Sequence, residues 1–289
     1  MALIKKANDL IQAQYQLSKN EQRLILHLLS TIQRPDKDFK DYEFSFADLV
    51  NIIGMRHATV YAELSTIAHN LTSNPIIFEK ENKKSYCNWC AWFEIDNNKK
   101  TVTVSFHPKL KPYLLQLKGN FTRFHLKNVS GFRSAHSFRI YEICKQYQSI
   151  KKRKISMFEF KDILDISDKY SQISALKAYV INPALKDINE QSDLLISVKY
   201  KKTRRSITDI EFTIENKLAN CQTEKQEDLI IADVNKQAQT QKTQAEQIEN
   251  AQDWRKKWNA LSLEEQSKWG NAAMGYGKYR SCKGVLTDD

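Results

Sequence analysis

Apolar positions at helical spacing open the readable part of the chain. Leu24, Ile25, Leu28, Leu29 and Ile32 recur three and four residues apart, predicting one amphipathic helix to about Gln33. Ser18-Lys19-Asn20-Glu21 precedes it as a capping box, in which the serine oxygen and Glu21 satisfy backbone donors that a helix start leaves orphaned. Arg34-Pro35-Asp36 ends the helix. A short strand is expected at 42–44, then a second, short helix capped by Ser45-Phe46-Ala47-Asp48 and carrying Leu49, Ile52 and Ile53. Gly54 breaks it, and a third helix should run over about 58–71. A sheet begins at 75–78. Alternation over 86–95 and 101–106, around Asp96-Asn97-Asn98-Lys99, predicts a β-hairpin.

The order helix, strand, helix, helix, hairpin is that of a winged helix, a helix-turn-helix with a β-ribbon attached. It recurs. Residues 134–149 read as a first helix with Phe138, Tyr141, Ile143 and Cys144 inward, 154–156 as the short strand and 157–166 as the second helix. The third should span 171–190, with Pro183 kinking or restarting it and Leu176, Val180, Ile181 and Leu185 buried. Segments 194–200 and 206–214 pair around a tip of Lys201-Lys202-Thr203-Arg204-Arg205. The expected fold is therefore α+β: two tandem winged-helix domains, 1–128 and 129–217, with a partly helical or disordered tail over 218–289. The tail is polar to about 250, Trp254, Trp258 and Leu261 then fall at helical spacing, and Ser262 can cap another short helix.

Composition sharpens the functional class. The net charge is +11 over 289 residues, which favours a polyanionic partner. Five cysteines without framework spacing suit a reducing cytoplasm, and no secretory signal or membrane-length apolar run occurs. The charge concentrates usefully. Lys199, Lys201, Lys202, Arg204 and Arg205 crowd the end of the second ribbon, suited to phosphates or a minor groove. Lys169, Tyr170, Ser171, Gln172, Ser174 and Lys177 cluster near the start of the preceding helix, where polar side chains read base edges in a major groove. Arg133 and the run Lys151-Lys152-Arg153-Lys154 can add backbone contacts. An isolated charged turn is usually only a solvated one; its place after a recognition helix favours the DNA reading.

The first unit differs. Its third helix carries Glu63 and few cations, and its hairpin holds Tyr86, Trp89, Trp92 and Phe93, which suit either a core face or a protein contact. Pairing of copies and auxiliary DNA contact are its expected roles. Cys87 and Cys90, three apart in a regular strand, would point to opposite faces and suit no metal. No metal or other cofactor is called for, and no catalytic residues are expected: P-loop, nucleophile elbow, paired histidines and acidic cluster are all absent from the sequence.

Three blocks resemble the iteron-binding plasmid replication initiator (Rep) family of the tandem winged-helix type. They are Asn8-Asp9-Leu10-Ile11 with Tyr15, Leu17, Ser18 and Glu21-Gln22-Arg23-Leu24; Ser134-Ala135-His136-Ser137-Phe138-Arg139-Ile140-Tyr141-Glu142-Ile143-Cys144; and Val180-Ile181-Asn182-Pro183-Ala184-Leu185-Lys186-Asp187-Ile188-Asn189-Glu190. The resemblance covers about 3–216. It implies monomers that bind repeated double-stranded origin sites and promote their opening. It further implies dimers, joined through the first unit, that repress their own gene, and recruitment of a host helicase and initiator without catalysis by the protein. The second unit would make most base contacts. Its recognition helix departs in carrying Lys177 and Lys186 but no arginine. A plain winged-helix repressor and an origin-nicking enzyme are the competing readings.

Overall fold

A computed structural model describes residues 2–33, 36–55, 59–115, 117, 119–203 and 206–217. All lie within one compact unit spanning Met1–Leu218. The proposed tail helix and its tryptophans lie outside the described residues.

The chain begins with β1 (Leu3–Ala7) and α1 (Asn8–Gln12), neither of which the hydrophobic pattern predicts. Helix α2 (Lys19–Thr31) follows, and its capping box is present: Glu21 N–H donates to Ser18 Oγ at 3.3 Å and Ser18 N–H to Glu21 Oε2 at 2.8 Å. Such a cap stabilises a helix by about 1 kcal/mol. Strand β2 (Tyr42–Ser45) leads into α3 (Phe46–Leu49), capped by Ser45 and Asp48 and prolonged by a π-turn over Val50–Gly54. Gly54 closes this element at φ +76°, a conformation costly for any other residue. Then come α4 (Val60–Ser73), β3 (Ile76–Lys80), β4 (Lys83–Cys87), β5 (Cys90–Asp96) and β6 (Thr101–Phe106).

The expected single strand over 86–95 is thus two strands in two sheets. Strand β4 pairs with β3, while β5 pairs with β6. The break is at Asn88-Trp89, where the indole is buried against Tyr15, ring centroids 5.2 Å apart. Burying so large a side chain outweighs continuing the ladder. Cys87 and Cys90 therefore end one strand and begin another, so the alternation argument for their divergence does not apply to them. Both are free, and burial pushes Cys90 up to about 12, well away from thiolate chemistry at neutral pH.

After α5 (Lys111–Leu114), β7 (Phe121–His125) returns to pair with β1, so the N-terminal strand is held by the segment entering the second unit. There follow α6 (Ala135–Lys145), β8 (Lys152–Ser156), α7 (Met157–Ile163), α8 (Ile173–Leu176), α9 (Asn182–Gln191), β9 (Leu194–Thr203) and β10 (Ser206–Asn216). Helix α7 is shorter than expected, because Asp165 takes φ +54° and turns the chain. Sheet order is β2-β6-β5 in the first unit and β8-β10-β9 in the second: the same topology twice.

One hydrophobic core runs through both units, from Ile4 to Ile214. A buried polar network crosses it as well. Glu142 of α6 receives Lys6 of β1 at 2.6 Å and Arg139 at 3.1 Å. Arg139 also donates to Tyr15 Oη at 2.5 Å and to the carbonyls of Ile11, Ala13 and Ile163 at 2.9–3.2 Å. Side chains of the N-terminal segment thus meet α6 with their charges compensated, as burial demands.

Candidate nucleic-acid interface

The helix-turn-helix of the second unit is built around a few fixed points. Ser156 accepts from Glu159 N–H at 3.1 Å to start α7, whose Phe160 and Ile163 are buried. The turn that follows reaches φ +55° at Tyr170. Lys161 donates from Nζ to the carbonyls of Lys169 and Tyr170 at 3.3 and 3.0 Å, pinning that turn. Sequence reasoning did not single out Lys161, since a lysine on a short helix gives no periodic signal.

The third helix is α8, a π-turn over Lys177–Ile181, and α9 in succession. The expected disturbance near Pro183 is that π-turn. Asn182 N–H bonds back five residues to the carbonyl of Lys177, widening the coil where the proline ring would meet the carbonyl four residues earlier. Leu176, Val180 and Ile181 are buried as expected, while Leu185 is only half-buried. Asp187 fixes the far end, accepting from Arg133 and Ser134 N–H at 2.8 and 2.9 Å and from Ser137 Oγ at 2.7 Å.

Among the residues expected to read DNA, Ser171, Gln172 and Ser174 are exposed at the helix start, with Gln172 at the N-cap. Lys169 and Tyr170 lie in the turn rather than on the helix, and Lys169 donates to Gln16 at 3.0 Å. Lys177 is turned toward the wing, its ammonium 3.9 Å from the centre of the Tyr200 ring. Arg133 is exposed and lies 3.4 Å from Glu190.

Lys201 and Lys202 belong to β9 rather than to the tip, because the strand pairs as far as Thr203 with Ser206. Arg204 and Arg205 lie outside the described residues. Strand alternation puts Lys199 and Lys201 on the solvent face of the sheet beside Lys152 and Lys154 of β8, with Asp209 and Glu211 of β10 between them. Glu211 is held by Lys152 at 2.9 Å and Lys201 at 3.0 Å, and Asp209 by Lys154 at 3.1 Å. Hydrogen bonds from Lys152 and then Lys201 hold the Glu211 carboxyl below the usual range. Those from Thr208 and then Lys154 do the same for Asp209. Three of the four lysines are thereby partly neutralised, while Lys199, also on this face, and Lys202, on the opposite one, carry no ion pair among the described residues. Arg153, expected with its neighbours at a phosphate, is buried and donates instead to Gln12 at 2.8 Å.

The first unit presents a different surface. Glu63 of its third helix accepts from Thr59 at 2.6 Å and Asn20 at 3.3 Å. Its aromatic hairpin divides: Trp89 is core, whereas Tyr86 and Trp92 are exposed. Cys87 Sγ lies 3.2 Å from His107 Nδ1. Among the described residues no group of three His, Cys, Asp or Glu is placed to hold a metal, and no helix is long and apolar enough to cross a membrane.

Two helix-turn-helix units with three-stranded wings, repeated with the same sheet order, define a tandem winged-helix protein. The chain belongs to the Initiator Replication protein family. The model of its first winged-helix domain (WH1) matches residues 3–145, and that of its second (WH2) matches 156–214. A replication initiation protein of Escherichia coli is 26% identical over 67% of this chain and 64% of its own length. A probable replication protein of Bifidobacterium longum is 29% identical over 57% of each. The match thus spans less than two thirds of either relative. Among solved structures, the Pi initiator protein in complex with iteron DNA superimposes with a TM-score of 0.61 at 18% identity, covering 75% of this chain and 98% of that one. That likeness establishes the shared fold.

Proposed function

We propose that the chain is a plasmid-type replication initiator that binds directly repeated sites in double-stranded DNA. The observation that carries this reading is the second unit's joint presentation of a pinned helix start, with Ser171, Gln172 and Ser174 exposed, and a ribbon bearing Lys199 and Lys202. Such a helix suits a major groove, and such a ribbon the flanking phosphates. Family membership agrees, and so does the known ligand of the Pi initiator protein, whose crystal structure contains iteron DNA.

Residues 129–217 are assigned sequence recognition. Residues 1–128, with exposed Tyr86 and Trp92, are assigned pairing of copies and auxiliary DNA contact. Origin opening, recruitment of a host helicase and initiator, and repression of its own gene by dimers complete the proposal. It places the protein in the bacterial cytoplasm and asks no catalysis of it. A plasmid carrying only this gene, its upstream repeats and a marker should be maintained in a host lacking another replicon. Binding to the repeats without maintenance would favour a repressor instead, and a covalent protein–DNA adduct on supercoiled origin DNA would point to a nickase.

A further inference from the structure

The reading helix carries two outward side chains to which no role has yet been given. Tyr179 lies in the π-turn and is 68% exposed, yet it is not loose. Its ring stacks on that of Tyr170, centroids 6.4 Å apart and planes within 27°, and Tyr170 sits in the turn that Lys161 pins. Asn182 follows at the end of the same wide turn, exposed, its amide making no hydrogen bond among the described residues. A ring this exposed, stacked on a neighbour in a pinned turn, leaves an apolar surface open to a partner.

The remaining chemistry of the helix narrows the ligand. No arginine occurs between residues 171 and 191, so the helix has no guanidinium for guanine, and of its two lysines Lys177 is drawn onto Tyr200 while Lys186 is exposed four residues beyond Asn182. An exposed asparagine amide matches adenine, whose N7 accepts and N6 donates, and an apolar surface matches the 5-methyl group of thymine. We infer that Tyr179 and Asn182 make this helix a reader of A·T pairs, the amide on an adenine edge and the ring against a thymine methyl. This rests on the duplex-binding reading above and deepens it by naming the base pairs.

The test uses the full chain and the duplex it prefers after selection from a random library. Each thymine of that duplex is replaced in turn by deoxyuridine, which removes only the methyl, and each adenine by 7-deazaadenine, which removes the N7 acceptor. Wild-type protein should lose about fourfold in affinity at one deoxyuridine position, the worth of one buried methyl. It should lose about 5- to 150-fold at one 7-deazaadenine position. Tyr179→Ala should abolish the deoxyuridine effect and Asn182→Ala the deazaadenine effect, because each pair forms one contact. Tyr179→Phe keeps the ring and should bind as wild type, separating contact from folding. Failure to select any preferred duplex overturns the duplex-binding reading itself. A preferred duplex whose analogue effects persist unchanged in both alanine variants overturns this inference and leaves that reading standing.

Discussion

Glu142→Gln removes the one carboxylate shared by two buried cations. Lys6 and Glu142 side chains are 0% and 1% exposed, and Arg139 is 3% exposed. Arg139 keeps three carbonyl acceptors after the change, but Lys6 keeps only the neutral glutamine oxygen and, 5.6 Å away, the face of Trp89 among the described residues, with no counter-charge. The ammonium of Lys6 is therefore the group left uncompensated. Breaking a buried pair by removing one partner costs about 3–5 kcal/mol. For a body of this size that lowers Tm by about 6–20 °C.

Lys6→Met in the same background deletes the stranded charge, so the double variant should be more stable than Glu142→Gln alone. The pH dependence has a definite sign. Burial already holds the Lys6 ammonium below its ordinary 10.5. A base with a lowered folded pKa binds fewer protons folded than unfolded, so in Glu142→Gln stability should rise as pH climbs toward 10.5. Urea denaturation followed by circular dichroism at several pH values reads both effects. A loss under about 1 kcal/mol, or no recovery with Lys6→Met, would refute the claim that this network bears weight across the core.

Other outcomes follow from the same coordinates. Burial holds His27 and His136 below 6.5, so the unfolded chain takes up protons first and stability should fall as pH drops through 6.5; His136→Gln should flatten part of that slope in thermal melts. Asp209→Asn with Glu211→Gln frees Lys152, Lys154 and Lys201; affinity for any duplex should rise and the log–log salt slope steepen by about 0.9–2.7, for one to three new phosphate contacts, read by fluorescence anisotropy. Lys161→Met unpins the turn; stability should change by about 1 kcal/mol, while binding to the preferred site weakens about fivefold relative to random duplex.

Local chemistry made much of the fold legible. Ser18 and Ser45 each cap the helix that their position in the sequence announces, and Ser134 and Ser156, not singled out as caps, do the same for α6 and α7. Asp96 accepts from Asn98 and Lys99 N–H, closing the turn that composition suggested. What stayed hidden depends on partners distant in sequence. Strand β1 contains two lysines, one of them fully buried, so its alternation is masked until Glu142 supplies the counter-charge. The break at Trp89 follows from a pocket beside Tyr15 rather than from turn residues. The candidate site was legible as a region and less so as side chains. Charge along the chain located the ribbon, but it could not show Asp209 and Glu211 lying between the lysines, nor Lys177 folded onto Tyr200.

The central claim is that the second unit recognises a particular duplex sequence. Competition anisotropy at physiological salt measures this directly, setting a duplex of the repeats flanking the gene against one of the same composition in scrambled order. The account predicts a preference of about a thousandfold or more for the repeats. Equal affinity for both would contradict it, leaving a basic protein that binds DNA by charge alone.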